Sequence, residues 1–231
     1  MKRFDTVKIE KIMRMIFIGL SAMAVVYNLW AQSWETFWSA VITLILFILP
    51  TIMANRSNIR IPPPFQIIIM LFIFASMYLG EIHSYFYRFR WWDSMLHTNS
   101  AIMLGYIGFL LIDALNNDSR MHIRLSPFFM ALFSFCFAIM IGTLWEIFEY
   151  SADALLGTNM QKARNLELVY GIFDTRLGVI DTMQDLMVDA IGALFVSIVG
   201  FVHLKFRKPD DSTFWKLHQQ FISENPELFR K

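Results

Sequence analysis

Three aspartates recur every fourth residue in Asp181-Thr182-Met183-Gln184-Asp185-Leu186-Met187-Val188-Asp189, and an apolar run, 193–204, follows almost at once. Residues four apart lie nearly above one another on a helix, so this stripe is a single acidic face. Two more sets have the same character. Asp93 and His97 are spaced i, i+4, and Glu146, Glu149 and Asp153 are spaced i, i+3, i+7. Carboxylates with an imidazole among them are ligands for a divalent cation. Mg²⁺, Mn²⁺ or Ca²⁺ suits a mostly oxygen donor set, and Zn²⁺ or Fe suits one in which His97 and His83 both bind. The candidate metal ligands are therefore Asp93, His97, Glu146, Glu149, Asp185 and Asp189. Asp189, Glu146 and His97 are the candidate acid/base groups, and Asn159 and Gln161 are neutral candidates for contacting a substrate. Two other arrangements satisfy the same charges: protonated, hydrogen-bonded carboxyls, or Arg88, Arg90 and Arg176 folded in as counter-ions.

Chemistry of this kind needs a scaffold, and composition identifies it. The chain has 231 residues, 56% hydrophobic and only 17% charged, against about 25% charged for a soluble domain. Its apolar residues fall in long runs, the mark of a multi-pass membrane protein. A net charge of +1 gives no support to a nucleic-acid partner. Membrane lipid is the expected partner, and the sequence does not identify a protein partner. The basic start at Lys2-Arg3 is followed by a retained span rather than a cleavable signal.

Six segments are long enough to cross a bilayer as helices: 13–31, 35–54, 65–85, 94–115, 127–150 and 185–206. The expected fold is all-α, a polytopic bundle of six transmembrane helices over residues 1–208. An amphipathic cytoplasmic tail, 209–231, follows. Ser126-Pro127 predicts an N-cap with proline in the first helical position, and Pro50 predicts a kink in the second span. Fifteen of the twenty Lys and Arg residues fall in the segments that are cytoplasmic if the N-terminus is inside. The positive-inside rule then places both termini in the cytoplasm. At 1.5 Å per residue, Asp189 lies about 24 Å above Lys205. Glu81, His83, Asp93, His97, Glu146 and Glu149 come out at the same outer level. Ionisable groups at membrane depth are costly, which makes them functional candidates.

The long connection 151–180 is expected to act as an outward lid, with its partly apolar stretch 166–173 on the bilayer or over the bundle. In the tail, Phe214, Trp215, Leu217, Phe221 and Ile222 stand at helical spacing, as in an interfacial helix or one packed on the protein. Trp30, Trp34, Trp38, Trp91 and Trp92 suggest an outer aromatic belt. Cys136, alone in the chain, is expected to be a small core residue.

Several catalytic signatures are absent. There is a single Asp-x-x-x-Asp stripe where membrane prenyltransferases have two, and no CDP-alcohol phosphotransferase pattern. Nucleophile-elbow, His-Glu-x-x-His, Walker and dinucleotide motifs are also missing. Other motifs do combine: Trp92-Asp93-x-x-x-His97, Gly142-x-x-Trp145-Glu146-x-x-Glu149, Gly157-Thr158-Asn159-Met160-Gln161 and Asp181-Thr182-Met183-x-Asp185-x-x-x-Asp189-x-x-Gly192-Ala193. Together they resemble the bacterial YjdF-like membrane-spanning protein family. The resemblance covers roughly residues 85–200. It implies a small multi-pass protein of the bacterial cytoplasmic (inner) membrane, with no particular activity attached. The Glu-bearing span and the acidic start of the last span are similar, at the level of fold, to VanZ-like proteins.

Three functional readings follow. The first is a metal-dependent enzyme acting on a lipid or lipid-linked head group at the outer leaflet, with Mg²⁺, Mn²⁺ or Zn²⁺ as cofactor. The second is a proton- or cation-coupled transporter of small solutes. The third is a non-enzymatic membrane factor that binds a lipid or a partner helix, with the polar cluster as structural glue.

Overall fold

The computed structural model describes residues 3–56, 59–117, 124–162, 176–206 and 213–229. All regular structure among them is helical, as α1 (Arg3–Trp30), α2 (Trp34–Arg56), α3 (Pro63–Ile73), α4 (Tyr85–Arg88), α5 (Trp92–Asn117), α6 (Pro127–Leu156), α7 (Leu177–Phe206) and α8 (Thr213–Glu224). A π-helical segment, Phe74–Ile82, extends α3, and a 3₁₀ turn, Pro226–Phe229, follows α8. Five helical stretches are long and apolar enough to cross a membrane: Asp5–Trp30, Pro63–Ile82, Trp92–Asn116, Pro127–Leu156 and Leu177–Phe206. The sixth expected span is present as α2, but its apolar part, Trp34–Pro50, is shorter. Seventeen residues rise about 25 Å, less than the roughly 30 Å hydrocarbon core.

The chain divides into two compact units. One comprises Met1–Trp92 and Pro209–Arg230. Its core joins Phe17, Phe47, Met70 and Ile73, with the Phe17 and Phe74 rings stacked at 4.5 Å. Arg14 contacts both Glu10 and Gln66, so its charge stays paired in an apolar helix. The tail is anchored within this unit. Asn225 accepts from the Arg60 N–H at 2.7 Å and donates to the Arg60 carbonyl at 2.8 Å, while the Phe65 and Phe221 rings meet edge-on at 6.2 Å. Trp92 departs from the expected aromatic belt. It is buried, its indole N–H donating to the Ala75 carbonyl at 3.2 Å. Trp30, Trp34, Trp38 and Trp91 are exposed.

The other unit comprises Asp93–Lys208 and holds α5, α6 and α7. α6 begins as the sequence predicts, with Ser126 Oγ accepting from Phe129 N at 3.2 Å and Pro127 in the first helical turn. It runs on to Leu156, where Gly157 takes a left-handed conformation, φ 68°, and closes the helix. The connection between helices is therefore 157–176, shorter than expected, because both flanking helices extend into it. The apolar stretch 166–173 lies outside the described residues.

Small residues hold the three helices together. Ala101, Ala138 and Ala193 form one buried cluster, and the Ser134 hydroxyl donates to the Gly105 carbonyl at 2.6 Å. α7 faces α5 through Gly192 opposite Thr98 and Gly200 opposite Phe109. Their numbers rise together, so the two helices run parallel. Gly142 of α6 faces Asp189 of α7 and Gly108 of α5 faces Phe137 of α6, which makes α6 antiparallel to both. Close backbone approach through small residues is how helices associate in lipid, where apolar burial supplies no drive between them. The outer faces carry Leu144, Ile147 and Phe148 on α6, and Ile191, Leu194, Phe195 and Ile198 on α7, all exposed. Such apolar exposure on several helices fits a lipid surrounding. Cys136 is exposed, contrary to expectation. It stands two residues from both Ser134 and Ala138, roughly half a helical turn off their buried face.

The close approach to a backbone atom yields a prediction. A methyl added at Gly192 would sit 2.5 Å from the Thr98 carbonyl oxygen, a backbone atom that cannot swing away. Gly192→Ala should cost about 1–3 kcal/mol by overpacking. Thermal unfolding in detergent should show a lowered midpoint, and an unchanged midpoint would contradict this packing.

Candidate functional site

The antiparallel threading brings the start of α5, the end of α6 and the start of α7 to one end of their unit. His97 stands at the centre of the polar residues there. Its Nδ1 lies 3.5 Å from Asp189 Oδ1 and 3.8 Å from Glu146 Oε1. Its Nε2 lies 3.9 Å from Asp93 Oδ1 and 3.9 Å from Asp185 Oδ2. Two carboxylates thus approach each ring nitrogen, all beyond normal hydrogen-bond length. His97, Glu146, Asp181, Asp185 and Asp189 are buried, Asp189 to 1% exposure, and Asp93 forms the open side with its side chain 25% exposed.

The helices explain this convergence. Asp181, Asp185 and Asp189 share a face of α7 with Gly192, Val196 and Gly200. Glu146 and Glu149 continue the Ser134, Ala138, Gly142 stripe of α6. Gly142 has a specific part, because a Cβ there would collide with the Asp189 carboxylate. The missing side chain makes the space into which Asp189 fits.

Electrostatically, the site is unfinished. Both oxygens of Glu146, both of Asp189 and Oδ2 of Asp181 are buried without a hydrogen-bond partner. A buried polar atom left so costs about 1–3 kcal/mol, and more if charged. Two sets of three residues can each direct one ligand atom to a common point, with the atoms within 4.8 Å of one another: His97, Glu146 and Asp185, and Asp93, Asp181 and Asp185. That span matches a cation with oxygen or nitrogen ligands at about 2.0–2.6 Å.

The residues singled out from the sequence divide into groups. Asp93, His97, Glu146, Asp185 and Asp189 come together. Glu149 is buried one turn from Glu146, and its Oε1 accepts from the Trp145 indole at 3.0 Å. Gln161 donates to Thr182 Oγ1 at 3.0 Å and to the Gly178 carbonyl at 3.4 Å, tying the turn after α6 to the start of α7. Asn159 lies in that turn, its carbonyl accepting from Lys162 N at 3.3 Å. Glu81 and His83 belong to the other unit.

Two residues depart from expectation. Asp181 precedes the expected span, 185–206, but α7 starts at Leu177, so Asp181 lies inside the helix and points into the cluster. Its place in the four-residue stripe was the available signal. Asp153 shares the spacing of Glu146 and Glu149, yet it serves the following turn. Its carboxylate accepts from the Thr158 hydroxyl at 2.6 Å, Met160 N at 2.7 Å and Gln161 N at 3.0 Å.

Comparison with known proteins agrees with the motifs. Residues 12–206 match the family described as "Predicted membrane protein (DUF2238)", in accord with the YjdF-like resemblance. A protein of Thermotoga maritima, titled "Uncharacterized protein", is 22% identical over 167 residues, covering 72% of this chain and 74% of its own length. No solved structure matches the chain.

The Asp153 turn is open to direct test. Asp153→Ala removes the acceptor for three donors and should loosen 157–162 by about 1–3 kcal/mol. Limited proteolysis should cut Asp153→Ala faster than wild type in this turn while leaving the helices intact. Equal cutting would show that the turn holds without Asp153.

Proposed function

The chain belongs to the DUF2238 family of predicted membrane proteins, and we propose that it is a divalent-cation-dependent membrane enzyme acting on a lipid or lipid-linked head group. One observation carries the reading. Glu146 and Asp189 present four buried oxygens without a hydrogen-bond partner of normal length, both carboxylates close to Nδ1 of a buried imidazole. Structural glue would satisfy those atoms within the protein, whereas a cation site leaves them available. His97, Glu146 and Asp185 fit such an ion by donor type and spacing, and Asp189 lies 3.5 Å from the same imidazole.

A bound cation would polarise a phosphoryl or carbonyl oxygen or lower the pKa of a water. The chain's own residues supply the rest. Asp189, Glu146 and His97 are the acid/base candidates beside the reacting atoms. Asp93, on the open side, marks the direction of approach. Gln161 and Asp153 fix the polar turn next to the start of α7, and Asn159 is its candidate for contacting a head group. The apolar outer faces of α6 and α7 favour a substrate that arrives through the bilayer. The distribution of Lys and Arg supports cytoplasmic termini, with the site toward the outer side of a bacterial inner membrane.

Metal analysis of the purified full-length protein provides the test. Wild type should carry or take up Mn²⁺ or Zn²⁺ at micromolar concentration. Asp189→Asn should weaken uptake at least about tenfold without altering elution from a sizing column. A wild-type protein that holds no metal and takes up none would sink the proposal. The enzymatic half has its own readout, metal-dependent release of head groups from a lipid extract. A release rate equal in the presence of a chelator would remove it.

A further inference from the structure

We infer that the site is built for two divalent cations, with Asp185 as the carboxylate shared between them. The inference rests on the cation reading above and extends it to the number of ions. The two convergent sets, His97–Glu146–Asp185 and Asp93–Asp181–Asp185, have only Asp185 in common. A carboxylate has two oxygens and can offer one to each of two neighbours. In two-metal sites the ions lie about 3.5–4 Å apart, a separation one carboxylate can bridge.

Two further observations agree. Unpartnered buried oxygens occur in both sets: both oxygens of Glu146 in the first, and Oδ2 of Asp181 in the second. A single ion in the first set would leave Asp181 unanswered. Charge points the same way. Asp93, Glu146, Asp181, Asp185 and Asp189 carry five negative charges when ionised. One dication cancels two of them and a second brings the total cancelled to four. Uncancelled charge in a buried site is expensive.

The two positions differ in donors. The first includes an imidazole and favours Mn²⁺, Zn²⁺ or Fe²⁺ over Mg²⁺. The second is all oxygen, and Asp93 leaves it the more open of the two. Mn²⁺ is compatible with both. The substrate class that fits is a phosphoryl-bearing head group, whose attacking and leaving oxygens can each face one ion.

Mn²⁺ is therefore the probe. Full-length protein in detergent would be stripped with chelator, loaded with Mn²⁺ and desalted. Bound manganese per chain and the electron paramagnetic resonance spectrum would then be measured. Two Mn²⁺ per chain with an exchange-coupled spectrum are expected for wild type. Asp181→Asn, nearly isosteric, should retain one uncoupled ion, and Asp185→Asn should lose coupling and drop below one. One Mn²⁺ in wild type would overturn the two-ion inference while leaving the cation site standing. So would two coupled ions in Asp181→Asn or in Asp185→Asn. No Mn²⁺ in wild type would remove the underlying cation reading as well. The wild-type measurement decides the matter even if a variant fails to fold.

Discussion

At Gly192 the backbone of α7 comes against the Thr98 carbonyl of α5, and at Gly142 the backbone of α6 comes against the Asp189 carboxylate. These approaches set the distance at which three helices meet. Side chains of four or five atoms can share one small volume only if their backbones start close together. Ala101, Ala138 and Ala193 maintain the same spacing further along the seam. In lipid this contact cannot depend on apolar burial, so it depends on fit between small residues. The acidic end of the unit follows from the seam, since the polar residues occupy the same helical faces, one to three turns beyond it.

A cluster so placed is a liability without a partner. Transferring a carboxylate from water to a medium of low dielectric has an idealised cost of order 20 kcal/mol, and several kcal/mol remain after relaxation. His97 is one imidazole among five carboxylates, and its ring nitrogens stand 3.5–3.9 Å from four of them. It cannot answer them all. Asp153 and Glu149 show the alternative, since each has found donors on the chain itself. Satisfied and unsatisfied acids thus stand a few residues apart on the same helices.

Much of this was readable from spacing. Long apolar runs mark the spans, Ser126-Pro127 marks the start of α6, and the four-residue stripe of aspartates marks one wall of the cluster. What could not be read depends on the third dimension. Asp153 keeps the helical spacing of Glu146 and Glu149, and only the left-handed turn at Gly157 swings Thr158, Met160 and Gln161 back onto it. The start of α7 lies ahead of the expected span because hydropathy locates where a helix enters lipid, not where it begins. Trp92 looked like an interfacial residue by type, but the Ala75 carbonyl offered its indole an inward partner. Cys136 was judged by residue type, although its phase relative to Ser134 and Ala138 already put it on the outer face.

The up-down-up threading of α5, α6 and α7 also fixes the orientation of their peptide dipoles. Two helix N-termini and one C-terminus meet at the acidic end. Each N-terminus carries roughly half a positive elementary charge and the C-terminus half a negative one, so the backbone contributes a net positive potential there. Asp93 lies in the first turn of α5 and Asp181 in the second turn of α7, close to where that potential is strongest. The helix dipoles therefore offset part of the negative charge gathered at these positions. The same three helices threaded in the opposite sense would present two C-termini and add to that charge.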